Sequence, residues 1–476
     1  MHTDLPKKES LGSSVKIKKR GLFSKRTDLD LTSGPLFSSM IAYALPLLAA
    51  NLIGTLFGAM DLMALSYFSV GNEVAAVGAT TALTSLFLNL AFGLTTGITV
   101  ILARSFGERD RERSQSVIST AIIAAVLIGV CFAVIGSLLV PSFLRWTNCP
   151  ADCVADATLY AVIYILGMPF YLLYGYLGAV IRVSGDSEHP LYYMLAGGVM
   201  NIILNLALCI ILPHKVLAVA IATLASNVLG AFLCIRRLIR AEGIEHWDVR
   251  QTRFDLSVFG SILRYGLPVA LTNVLFPIAN LQLQSAINAF GASAVAGNTA
   301  CIQYENLMSS CVGAFLSAAM AFMGQNIGAK KPERVFRSFF YTQGIATAFT
   351  VTVAITVLLF GERLLPLFAG DDPAAVAFGL VRVRIVVPAF ILSLTVFATT
   401  VQVFGYPVLQ TLAEIIGIFG LRTLWLQLIY GKLVPTTPEM LYLCYPISMA
   451  VTALFNGSIA ATLLLRYRKG KYKKNI

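Results

Sequence analysis

The sequence predicts an all-α integral membrane protein with twelve transmembrane helices, arranged as two parallel six-helix repeats (an N-lobe and a C-lobe) around a central cavity. Three observations predict it: a composition too apolar for a soluble chain, twelve spaced apolar stretches whose flanking cations sort to one side, and motifs of the first half that return in the second at a nearly constant offset.

Of the 476 residues 57% are apolar and 13% are charged, with a mean hydropathy of +0.76. Soluble chains carry about 25% charged residues, so this chain cannot cover its apolar surface with water-facing side chains. The same figures exclude disorder, which needs low hydrophobicity and high charge. The net charge of +12 is explained by sidedness and calls for no nucleic acid.

A spanning helix needs about 20 mainly apolar residues. Stretches of that kind lie at 36–59, 78–103, 116–140, 157–182, 190–212, 216–237, 259–289, 295–323, 336–360, 374–404, 408–431 and 439–465. Ahead of them, residues 1–35 form a basic arm that includes Lys16, Lys18, Lys19 and Arg20, without the apolar core of a signal peptide. The predicted N-lobe is 36–237, the linker 238–258, the C-lobe 259–465 and a basic tail 466–476. With the N-terminus inside, 29 of the 36 Lys and Arg fall on inner segments, and seven do not: Arg145, Lys215, Arg363, Arg382, Arg384, Arg422 and Lys432. That is the positive-inside bias, and it requires an even number of helices with both termini cytoplasmic.

The repeat is read from pairs at nearly constant offset. Leu45-Pro46 and Leu267-Pro268 open related stretches, Asn51 matches Asn273, Gly71 matches Gly291, Gly107 matches Gly328 and Pro169 matches Pro388. Six helices per half make such repeats parallel. The prolines Pro46, Pro169, Pro268, Pro277, Pro388 and Pro446 fall inside predicted helices, where each removes a backbone hydrogen bond. Pro46 and Pro268 recur across the repeat and are the candidate hinges.

No catalytic or metal constellation appears. Six of the eight cysteines lie in apolar stretches, and Cys149 and Cys153 share a loop as a C-x3-C pair; all are read as free thiols. His2, His189, His214 and His246 are scattered outside the apolar runs. The chain is therefore expected not to be an enzyme and to need no cofactor. Charged residues at membrane depth are costly and point to function. They are Asp61 near the outer end of helix 1, Glu305 in helix 8, and Glu414 and Arg422 in helix 11. The spacing of Glu414 and Arg422, a little over two turns, puts them on one helix face as a structural ion pair or as cavity residues. Glu305, with Tyr304 beside it, is either a cavity residue or a satisfied structural acid. Gln282 is a further candidate for the cavity wall.

The ordered motifs resemble the multidrug and toxic compound extrusion (MATE) family, in particular its DNA-damage-inducible F-like bacterial branch. They are Pro46 followed by "MDLMALSYFSVGNEVAAVGA" with Asp61, "IRVSGDSEHP" followed by "VMNIILN", "GQNIGAKKPERV" and "YPIS". The resemblance covers about 36–465. It implies a monomeric antiporter in the bacterial inner membrane that exports amphipathic, often cationic drugs or toxins in exchange for H⁺ or Na⁺ by alternating access of two lobes. It also implies a coupling site at Asp61, Asn201, Asn205 and Thr223, with a possible Na⁺ held at Asp61. At position 205 this chain has Asn where the family has Asp, which leaves Asp61 the only acid of the set and leaves the ion open. The acids that another branch places in helices 7 and 10 are missing: Phe276 stands at the first position, and Asp371 and Asp372 precede helix 10.

Two other readings remain at this point. A flippase for a lipid-linked sugar or another lipid would line its cavity with several cations, and only Arg422 and the helix-end Arg182, Arg382 and Arg384 are available. A membrane-embedded enzyme would need a dyad or metal ligands at membrane depth.

Overall fold

The computed structural model describes residues 29–69, 72–370, 372–393 and 396–472. The basic arm with Lys16, Lys18, Lys19 and Arg20, together with Gly71, Asp371 and residues 473–476, lies outside the described residues.

Among the described residues eleven single helices are long and apolar enough to cross a membrane, and a bent pair, taken as one span, makes a twelfth. In chain order they are α1 (Leu36–Phe68), α2 (Glu73–Glu108), α3 (Arg111–Trp146), α4 (Val154–Leu166 and Met168–Ser184), α5 (Glu188–Ile211) and α6 (Lys215–Ile239). The second half adds α7 (Leu256–Asn288), α8 (Ala292–Gly328), α9 (Pro332–Leu364), α10 (Pro373–Val403), α11 (Pro407–Ile429) and α12 (Pro438–Arg468). All twelve predicted stretches are present. Several helices outrun them, α2 to Glu108 and α8 to Gly328, because a hydropathy count ends at the hydrocarbon boundary whereas backbone hydrogen bonding continues into the polar ends.

The prolines behave in two ways. Pro46 lies inside α1, and Pro268 and Pro277 lie inside α7, with the helices running on through them. Pro169 stands instead in the first turn of the second half of α4, just past Gly167, where the crossing bends by 41°. Proline suits a first turn because its missing N–H would have no partner there.

The duplication is visible in the backbone. Arg109 and Lys330, which occupy equivalent places in the two repeats, both take positive φ, 57° and 55°, in the turns after α2 and α8. Gly107 and Gly328 are separated by the same offset. The place for a Cβ at Gly107 is filled by the backbone of Gln325, and that at Gly328 by the backbone of Arg104. Arg104 and Gln325 are themselves equivalent positions at that offset. Helices α2 and α8 therefore cross at closest approach about a pseudo-twofold axis between the lobes. Gly93 on Ala270 and Gly97 on Ile262 and Gly266 extend this seam along α7. Met40, Tyr43 and Leu47 of α1 are buried with Ala314, Ala318 and Phe322 of α8.

Both described ends of the chain lie at one face. Lys331 donates to the Thr32 carbonyl at 2.7 Å, and Arg468 meets Glu333 at 2.9 Å. An even number of crossings follows. Of the seven cations left over by the sidedness argument, Arg145, Lys215, Arg363 and Lys432 lie at helix ends or in loops of the opposite face, and Arg382, Arg384 and Arg422 lie within helices.

The connection between the lobes is fastened to the N-lobe. Asp248 exchanges hydrogen bonds with the Gln115 side chain at 2.9 and 3.3 Å, and Asp255 N–H donates to Thr120 at 3.1 Å. The Trp247 N–H returns to Leu238 O at 3.0 Å and the indole is 8% exposed. Buried Glu245 pairs with Arg237 at 3.6 Å and fills the place of a Cβ at Gly243. A two-residue insertion after Gly243 is therefore expected to lower the thermal unfolding temperature, whereas the same insertion at exposed Arg253 is expected to be silent. Equal unfolding temperatures for the two insertions would show the loop to be a plain tether.

Candidate functional site

The four residues expected at the coupling site meet in the N-lobe. Asp61 lies about two turns before the end of α1, about 10 Å by the helical rise. Asn201 and Asn205 stand one turn apart on α5, and Thr223 is on α6. Asn205 Nδ2 donates to Asp61 Oδ1 at 2.6 Å and reaches Asn201 Oδ1 at 3.1 Å. The side chains of Asn201 and Thr223 are also close enough to act on the Asp61 carboxylate, although the Thr223 hydroxyl donates to Val219 O at 3.0 Å, and no cationic side chain pairs with Asp61 among the described residues. Asn201 and Asn205 are buried, and Asn205 Oδ1 has no donor. The pocket thus offers carboxylate, amide and hydroxyl oxygens, a set suited to a hard cation, and its one acid equally suits a proton. Tyr160 and Tyr164 of α4 are close enough to Asp61 to feel its charge. Nothing in the sequence singles them out, because tyrosines in apolar runs carry no positional signal.

In the C-lobe the expected pairing is corrected. Glu414 and Arg422 do not bond to each other. Arg422, fully buried, donates from Nε to Ser448 Oγ at 3.2 Å and from Nη1 to Asn280 Oδ1 at 3.0 Å. The stretch between them is wound as a π-helix over Ile415–Gly420, so a face argument based on 3.6 residues per turn does not hold there. Glu414 instead borders a gap with Thr272, Phe276 and Phe419, about 10 Å³ in volume, room for one water.

Glu305 is a satisfied structural acid. Arg382 grips it with two hydrogen bonds, Nε to Oε1 and Nη2 to Oε2, both 2.7 Å. Arg382 lies inside α10 rather than at a helix end, and its Nη1 reaches Asn298 Oδ1 at 2.6 Å. Tyr442 donates to the same oxygen at 2.9 Å. The Tyr445 ring sits between the two guanidinium groups, 4.8 Å from that of Arg382 and 4.2 Å from that of Arg422. Stacking of this kind stabilises desolvated cations. Tyr304 ties α8 to the end of α9 through Leu364 O at 2.6 Å, and Gln282 accepts from Thr423 at 2.8 Å across α7 and α11. In this structure the Tyr304 hydroxyl and the Glu305 carboxylate are both engaged by contacts within the C-lobe.

Sequence reasoning also passed over the closure of the seam. Arg104 Nη2 crosses from α2 to Val403 O at the end of α10, and Gln325 Nε2 crosses from α8 to Val183 O at the end of α4, at 2.5 and 2.6 Å. Val183 and Val403 are equivalent positions of the repeat, each just before a glycine of positive φ, Gly185 and Gly405. The two bonds are therefore repeat-related copies, both made by buried side chains. The aligned stretches beginning at Arg104 and Gln325 were the available signal.

Residues 29–34 lie over the same closure. Asn326 donates to Leu31 O at 3.0 Å, Arg334 to Ser33 O and Gly34 O at 3.0 Å, and Asp30 faces Arg109 of the N-lobe at 3.8 Å. Burial pushes the Asp30 carboxyl up, but hydrogen bonds from Thr32 and Ser33 and the charge of Arg109 bring it below the usual carboxylate value. On the inner side of α1, Asn51 donates to Ser310 O of α8 at 2.7 Å and Tyr43 to Arg182 O at 2.7 Å. One helix thus joins the seam to the Asp61 pocket.

Known proteins share this architecture. The family model MatE matches residues 46–207 and 268–425, one match in each lobe. The chain is 23% identical to the probable multidrug resistance protein YoeA of Bacillus subtilis, over 81% of this chain and 85% of that one. It is 25% identical to a protein described as an FAD transporter from Shewanella oneidensis, over 72% and 76% of the two chains. A solved outward-facing multidrug resistance MATE transporter of the MOP superfamily superposes with a TM-score of 0.82 at 20% identity, covering 92% of this chain and 98% of the other. Two matched lobes, twelve crossings and a seam built from duplicated residues make the assignment: the chain belongs to the MatE family of membrane transporters of small molecules.

Proposed function

We propose that this protein is a secondary antiporter of the bacterial cell membrane that exports amphipathic small molecules in exchange for H⁺ or Na⁺, with the face bearing both termini in the cytoplasm. The observation that carries the reading is Asp61, a carboxylate at membrane depth held by Asn205 at 2.6 Å and facing no cation among the described residues. Ionised and empty, such a group is costly; a bound proton or Na⁺ removes the cost. Because α1 bears Tyr43, Asn51 and Asp61, loading the pocket changes what α1 holds at the seam, and the lobes can rock about their axis. The inter-lobe hydrogen bonds of Arg104 and Gln325 lie at the end nearer the termini and that of Asn51 at mid-helix, which supports a state closed to the cytoplasm. The excess of Lys and Arg at that face supports the orientation.

The test is transport in everted vesicles with H⁺ and Na⁺ gradients imposed separately, using a cationic dye and FAD as cargoes. One gradient is expected to drive dye into the vesicles, and collapsing it to stop uptake. Uptake indifferent to both gradients would overturn the antiport reading.

A further inference from the structure

A cavity of about 400 Å³ opens at the terminal-bearing end of the seam. Its walls include Arg104, Glu108 and Arg113 of the N-lobe, Lys330 from the turn between α8 and α9, and Tyr467 and Tyr472 from α12 and the tail. Three of these side chains are cationic and one is anionic, and Arg113 meets that carboxylate at 3.5 Å. The two tyrosines are fixed in place, Tyr467 through Ile327 O at 3.2 Å and Tyr472 through Phe404 O. Arg104 is 6% exposed, and while its Nη2 locks the seam, its buried Nε has no hydrogen-bond partner among the described residues. A desolvated and incompletely paired guanidinium is costly, and an anion in the cavity that Arg104 lines would offset its charge. The adjoining cavity, lined by Asp110, Glu112 and Asp255 besides Arg113, has the opposite balance of charge.

We propose that the seam cavity binds a phosphate group, carried by a soluble phosphate ester or by the headgroup of an anionic lipid. Guanidinium donors suit phosphate oxygens geometrically, Lys330 adds a point charge, and the tyrosine rings wall the organic remainder. The cavity takes its walls from both lobes, so it exists only while the seam is closed. A ligand that binds one conformation alone shifts the population towards it, and occupancy therefore holds the terminal-bearing side shut.

The experiment uses the full chain in phosphatidylcholine nanodiscs, titrated with glycerol 3-phosphate and followed by thermal unfolding and direct binding. A parallel arm replaces part of the lipid with phosphatidylglycerol. Saturable stabilisation by glycerol 3-phosphate identifies the soluble source, and stabilisation in the phosphatidylglycerol discs identifies the lipid. In either case Lys330→Gln and Arg113→Gln, one from each lobe, are expected to weaken the effect about tenfold each, the size of one lost charge-assisted hydrogen bond. Arg145→Gln at the opposite face is the matched loss of charge and should leave it unchanged. The proposal fails if neither probe stabilises the wild type, or if Arg145→Gln weakens the effect as much as the two seam variants.

Discussion

Asp61→Asn is expected to abolish gradient-driven export while the protein still folds and inserts. The substitution keeps the size of the side chain and an oxygen to accept from Asn205, and it removes the charge that a coupling ion would neutralise together with one acceptor oxygen. Coupling free energies of about 1–3 kcal/mol correspond to roughly 5- to 150-fold effects. A site whose one acid is lost should fall at the upper end, about 100-fold in efflux under an imposed gradient. Asn205→Asp places a second carboxylate one turn from Asn201 and is expected to shift the pH or Na⁺ dependence rather than abolish export. Efflux by Asp61→Asn at the wild-type rate would move the coupling role elsewhere. With Glu305 committed to Arg382, Glu414 beside its water-sized gap would be the next acid to examine.

Glu305→Ala should be among the most destabilising single substitutions in the C-lobe. It leaves the Arg382 guanidinium, 2% exposed, without its two carboxylate bonds. Breaking a buried pair from one side costs about 3–5 kcal/mol, whereas replacing both partners with apolar residues is often neutral. The double variant Glu305→Leu/Arg382→Met is therefore expected to recover much of the unfolding temperature that Glu305→Ala loses. A single variant that unfolds like the wild type would show that Asn298, Tyr442 and Tyr445 satisfy Arg382 unaided.

These two residues also show how far the sequence could be read. The twelve crossings, the even count and the duplication were legible because each rests on a one-dimensional signal: apolar length, the sorting of Lys and Arg, and a constant offset. Asp61, Asn201, Asn205 and Thr223 were legible through family resemblance, and the one-turn spacing of the two asparagines already put them on a shared face. The pairing of Glu305 with Arg382 was not, because the partners stand far apart in the chain on different helices and nothing local marks them. Glu414 and Arg422 were paired by helical arithmetic that the π-turns of α11 undo. The connection near Gly243 reads as a polar linker, and only the packed structure shows Trp247 and Glu245 turned inward.

The crossed bonds of Arg104 and Gln325 have a consequence for the timing of the transport cycle. Both end on main-chain carbonyls, and both lie about the axis on which the lobes would turn. A rotation that lengthens one must lengthen the other, so the two let go in a single event, as two bolts drawn by one handle. The halves no longer match chemically, since one bolt is a permanent cation and the other a neutral amide. The cation alone carries a charge that ionic strength and nearby anions can act on. If the lobes rock as proposed, half of the clasp would be tuned by the surroundings while the other half keeps a fixed strength, and that difference would set how long the closed side stays closed.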